Sequence, residues 1–141
     1  MRCVLPFVLL SLGFAPAPVP KPKAAEEDLK RMQGSWVLIF IVQDGERENI
    51  KGKVTWEIKG NRVSTTTEDG KAYPPFFMAL DANSTPRAID IRDSPRESPR
   101  LLGRYSVDRN TLKVSIGEKR PADLSGNNAE FGVWVFKHQR P

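Results

Sequence analysis

Val54, Trp56 and Ile58 alternate with Lys53, Thr55, Glu57 and Lys59, and Leu112, Val114 and Ile116 alternate with Thr111, Lys113 and Ser115. A chain segment with one face in a core and the other in water produces this period of two when it is a strand, not a helix. Eight strand candidates can be marked: 35–42, 53–59, 62–67, 75–81, 87–92, 100–107, 111–116 and 131–138. Turn chemistry separates them. Gly60-Asn61 is a two-residue hairpin signal, Asp44-Gly45 and Asp69-Gly70 are turn dipeptides, and Asp108-Arg109-Asn110 makes another tight connection. Many short strands joined in this way predict an antiparallel sandwich or barrel. One segment departs from the pattern. Ala24 to Met32 reads as a short helix, with Glu26, Glu27 and Asp28 near its start and Lys30 and Arg31 near its end, as the helix dipole favours. Gly34 stops it.

Loop lengths choose between sandwich and barrel. If the strands run up and down, connections alternate between two ends. Gln43–Gly52, Glu68–Pro74, Asp93–Pro99 and Gly117–Glu130 fall at one end; Gly60-Asn61, Ala82–Pro86 and Asp108–Asn110 fall at the other. The first set is the longer. The expected fold is therefore all-β: an eight-stranded antiparallel up-and-down barrel with a short-turned floor and a loop-rimmed mouth.

At 141 residues the chain fits one domain. Its formal net charge is +5, but acidic and basic residues alternate from Asp44 to Asp123, so no single-sign face for nucleic acid is indicated. The first residues read differently. Arg2 is a positive n-region, Cys3 to Phe14 an apolar h-region, and Ala15-Pro16-Ala17 a small-residue cleavage site. The apolar run falls short of the roughly 20 residues that span a bilayer. The expected organisation is a signal peptide at 1–17, a proline-rich linker at 18–25 and the barrel at 26–141, giving an exported protein with no stable membrane insertion after cleavage. Cys3 is the only cysteine and lies in the signal, so the expected mature domain has no disulfide.

Gly34-Ser35-Trp36, placed between the helix and the first strand, resembles the opening of lipocalin-like barrels, which implies that the short N-terminal helix closes one end of the barrel. Further stretches are similar to a functionally unassigned family of small exported lipocalin-like domains from planctomycete bacteria: Asp28 to Trp36, Pro86 to Ile91, Leu102 to Tyr105, Asn110 to Val114 and Arg120 to Asp123. Members often carry a cysteine after the Asn-Thr-Leu-Lys stretch, where this chain has Ser115-Ile116. The resemblance implies fold and export and transfers no catalytic residue. It also implies a floor seal in which a basic residue after the last strand packs on the first-strand tryptophan. Gly34, Trp36, and Lys137 or Arg140 are the residues expected to form it, through a cation–π contact of about 0.5–2 kcal/mol.

An eight-stranded barrel is just wide enough either to fill with side chains or to hold one small ligand. Both readings stand on sequence alone. If a cavity exists, Phe40, Trp56, Phe76, Met78 and Tyr105 are its expected lining, and the ligand is a small, mostly apolar molecule. Pro74-Pro75-Phe76-Phe77-Met78 would lie at the mouth. With the strand-edge Arg92 and Arg100 counted as rim, the mouth loops carry eight basic and ten acidic residues, which favours neither sign of ligand. Arginines between Arg87 and Arg109 read as a solvated face. No enzyme is expected: His138 is the only histidine and has no serine partner in view, and no metal or cofactor motif is spaced along the chain. The alternative role is a ligand-free structural or protein-interaction module of the cell envelope.

Overall fold

The computed structural model describes residues 23–140. The signal peptide and the greater part of the linker read from the sequence lie outside the described residues. The described part begins with α1 (Lys23–Met32), which absorbs the end of that linker, and continues through β1 (Gly34–Gln43), β2 (Glu46–Asn49), β3 (Val54–Lys59), β4 (Arg62–Thr67) and β5 (Ala72–Asp81). It ends with β6 (Ala88–Arg92), β7 (Leu101–Val107), β8 (Thr111–Gly117) and β9 (Val133–Gln139). Among the described residues, no helix is long and apolar enough to cross a membrane.

Neighbours in sequence are neighbours in the sheet from β3 to β9, and β1 pairs with both β3 and β9. Eight strands thus close into an antiparallel up-and-down barrel, as expected from the pattern, and its architecture is lipocalin-like, as the resemblance implied. Closure runs from Ser35 opposite Gln139 to Val42 opposite Val133. The ninth strand, β2, is a hairpin arm. Asp44 and Gly45 both take positive φ, at 49° and 81°, and fold it back on the upper end of β1. Such a pair is the two-residue turn whose twist matches the strands it joins. The arm was hidden in the sequence because Glu46-Arg47-Glu48-Asn49 is exposed on both faces and carries no hydrophobic period. β5 also starts earlier than expected, at Ala72. A register shift between Val63 and Thr65 lets it pass Pro74 and Pro75 while still pairing with β4. Nor are the loop lengths uniformly asymmetric: the mouth connection 68–71 is shorter than the floor connection 82–87.

The interior divides into two levels. At the floor, Trp36, Ile58, Val63, Ile89, Tyr105, Leu112, Val114 and Phe136 are buried and in one cluster, with Met32 of α1 beneath them. Nearer the mouth the inward positions carry Thr65 and Thr67, and the packing opens. A β-bulge in β1 adds to this. The β1–β9 register shifts between Leu38 and Phe40, so Leu38 and Ile41, not Phe40, face inward.

Gly103 shows how tightly the wall below the opening is built. It pairs with Ile89 on one side and Ile116 on the other. A Cβ there would lie 2.6 Å from Ile116 Cγ2 and 2.9 Å from Ile89 Cγ2. Gly103→Ala is therefore expected to lower unfolding free energy by about 1–3 kcal/mol, the usual cost of overpacking a filled core. The midpoint of a urea transition followed by tryptophan fluorescence measures it; an unchanged midpoint would show that β7 can yield there.

Candidate functional site: an open mouth above a sealed floor

The floor is assembled from α1. Asp28, 1% exposed, lies on the helix face turned to the barrel, where its Oδ2 accepts hydrogen bonds from Tyr105 Oη at 2.7 Å and from Arg87 Nη1. Arg31, one turn on, stands 3.6 Å from the other carboxylate oxygen, Oδ1. Burying a carboxylate is costly unless it is paired and hydrogen-bonded, and Arg87 and Tyr105 meet both conditions. Burial, and then the bond to Asp28 and its negative charge, push the Tyr105 phenol above its ordinary pKa. Helix and sheet are joined at three further points. Trp36 Nε1 donates to Met32 O at 2.7 Å. Gln33 donates through Nε2 to Gly60 O at 2.9 Å and accepts at Oε1 from Gly60 N at 2.7 Å.

The seal on Trp36 differs from the one expected. Its aromatic partner is His138, whose ring meets the indole edge-on at 4.7 Å between centroids. Period two explains the correction. Trp134 and Phe136 face inward, so the next inward position of β9 is His138, directly opposite Trp36, while Lys137 points outward and is exposed. Arg140 lies beyond the strand and donates to Asn110 Oδ1 at 3.1 Å. Gly34 does belong to the seal. Its φ is +107°, and a Cβ would come within 3.0 Å of His138 Nε2.

Above this floor the barrel holds a cavity of about 670 Å³ that opens at the mouth. Trp56 and Phe76 line it, as expected, together with Leu38, Ile41, Ile50, Val54, Thr65, Thr67, Ile91, Leu101, Ile116 and Trp134. Its base is aromatic: Trp56 lies 4.2 Å from Phe136, 5.4 Å from Phe76 and 6.2 Å from Trp134, centroid to centroid. Neither of the two sequence readings of the interior holds throughout. The lower half is packed solid and the upper half is hollow.

Three expected lining residues are elsewhere. Phe40 is turned to the outer face by the β1 bulge, where the Arg47 guanidinium of β2 covers its ring at 3.6 Å. Met78 and Tyr105 are buried below the cavity, in the packed level. At the mouth Tyr73, 47% exposed, stands where exposed aromatics were expected from the Pro74–Met78 stretch, whereas Phe77 faces out opposite Arg92.

Sequence reasoning missed Asp28, which is hard to distinguish from Glu26 and Glu27 by composition, and the solvated face expected of the arginines from Arg87 to Arg109 holds for Arg96, Arg100 and Arg109 but not for Arg87 and Arg104. Arg87 holds Asp28, and Arg104 donates to Ser84 Oγ, Pro86 O and Pro121 O at 2.7–2.9 Å. Asp90 does face outward, as alternation required, and there accepts from Arg120 Nη2 at 2.7 Å. Among the described residues no cluster of three or more His, Cys, Asp or Glu could hold a metal ion. Comparison of the chain with family models, with curated proteins and with solved structures finds no significant match.

The raised Tyr105 pKa has a signed consequence. Unfolded tyrosine ionises near pH 10, and the folded phenol keeps its proton beyond that. Its stabilising contribution is thus complete below about pH 10 and is lost as pH climbs toward the folded value, by at most about 1.4 kcal/mol per pH unit. Tyr105→Phe is expected to be less stable than wild type at pH 7 by about 1–3 kcal/mol, since Asp28 loses a buried donor. The gap between the two proteins should then narrow from pH 10 to 11.5. Urea midpoints measured across that range check it; a constant gap would mean that Tyr105 ionises as readily folded as unfolded.

Proposed function

We propose that the protein is an exported binding module that holds one small, mostly apolar molecule in the mouth of its barrel. One observation carries the reading: a cavity of about 670 Å³, open to solvent and walled chiefly by aliphatic and aromatic side chains, sits on a floor closed by packing and hydrogen bonds. Ligand pockets of this kind are concave, apolar and largely pre-formed, with a few polar groups that orient the guest. Thr65, Thr67, Tyr73 and the rim pair Asp93 and Arg100 supply polar groups here. Export rests on the n-region, h-region and small-residue site of the first 17 residues, and kinship with the planctomycete lipocalin-like domains rests on the stretches quoted above. No catalytic step is assigned to the cavity.

Trp56 and Trp134 line the cavity and Trp36 lies below it, so an occupant should perturb two of the three indoles. Titration with a panel of terpenoids, fatty acids and haem should change the intrinsic fluorescence saturably for at least one of them. Thr65→Phe, which fills the cavity from β4, should weaken that binding about tenfold or more while the thermal midpoint stays within a few degrees of wild type. A panel that leaves the spectrum unchanged would sink the reading.

A further inference from the structure

The polar groups at the cavity rim point to the chemistry of the ligand's head, an inference that rests on the proposed binding role. Arg100 ends the loop after β6, and its backbone N donates to Ile91 O at 2.8 Å, which seats it at the mouth. Its Nε lies 3.1 Å from Asp93 Oδ1. Both residues line the cavity, and both side chains are more than half exposed, at 60% and 54%. A guest whose tail lies on Trp56 and Phe76 therefore brings its head to an adjacent pair of opposite charges. Across the mouth, Lys51, Lys53 and Lys71 stand with Glu68 and Asp69, so the rim as a whole has little excess of either sign.

We infer that the cavity selects a neutral amphiphile with a hydrogen-bonding head, such as an alcohol, over a carboxylate or an ammonium of the same tail. A carboxylate attracted to Arg100 meets Asp93 about one ion-pair distance away, and an ammonium attracted to Asp93 meets Arg100. Each unit charge near 4 Å contributes only about 1 kcal/mol in water, so attraction and repulsion nearly cancel while the head still loses hydration. A hydroxyl loses much less hydration than either ion, and hydrogen bonds at the rim can offset that loss. It can accept from the guanidinium, which has N–H groups to spare, and donate to the free carboxylate oxygen of Asp93. Depth limits the tail. The wall rises from Trp56 through Val54 to the rim, roughly 10 Å at about 3.3 Å per strand residue, which suits a medium-length chain or a compact ring system and not a long extended acyl chain.

Decanol, decanoate and decylamine share one tail and differ only in the head, the last two being ionised at neutral pH. Titrated into the full chain and read by tryptophan fluorescence, decanol should bind about tenfold tighter than either ion. Asp93→Asn removes the repulsion on one side and should raise decanoate affinity about fivefold or more relative to decanol. Arg100→Gln should do the same for decylamine. Equal binding of all three probes, or variants that leave the order unmoved, would overturn the head-group assignment and leave the cavity reading standing. Binding of none would overturn both.

Discussion

Everything in this molecule depends on the pairing of its first strand with its last. β1 and β9 are separated by nearly the whole described chain, yet they run together from Ser35–Gln139 to Val42–Val133. Without that ladder the eight strands would be an open sheet with two unpaired edges, and a sheet edge invites association with other chains. With it, every inward side chain faces another across a common axis. The ladder is pinned where it starts: Trp36 and His138 meet edge to face, and Gly34 supplies the positive φ and the missing Cβ that let the imidazole lie against the chain.

The floor below the ladder is polar at its centre. Asp28 brings a negative charge to the inner face of α1, and Tyr105 and Arg87 come from the wall and a floor loop to receive it. A short helix of this composition buries little apolar surface: Met32 and part of Leu29 are its contribution to the core. The charge pair and the hydrogen bonds to Gly60 and Met32 therefore carry the docking and fix its register. A buried network of this type is costly if one member is lost, which is how it confers a single docked arrangement on a helix with few apolar contacts.

Much of the barrel was legible because period two is a strong and simple signal. Trp56, Ile58, Leu112 and Val114 announced both their strands and their inward faces. Parity also explains the errors. The bulge in β1 inserts one residue, and from there every side chain changes face, so Phe40 leaves the interior and Ile41 enters it. One step of the same kind separates Lys137 from His138 at the seal. Bulges leave no mark in a hydrophobic pattern when residues on both sides are apolar, as Val37 to Val42 all are. The cavity was undecidable for a different reason. Its existence depends on where the small side chains, Thr65 and Thr67, stand relative to the bulky ones around the barrel, and that requires the register of all eight strands. Asp28 was obscure because its role is set by partners 59 and 77 residues away.

The closing ladder also decides how the molecule can be held. Gly34 and Gln139 are at the same end, and α1 enters at that end too, so both ends of the described chain leave from the floor. The mouth is ringed only by loops that return to the wall. The first rungs of the ladder, at Ser35 and Gln139, thus lie on the far side of the packed level from the cavity. A hold on the strand ends at the floor, at Gly34 or Gln139, therefore leaves the lining of the cavity untouched.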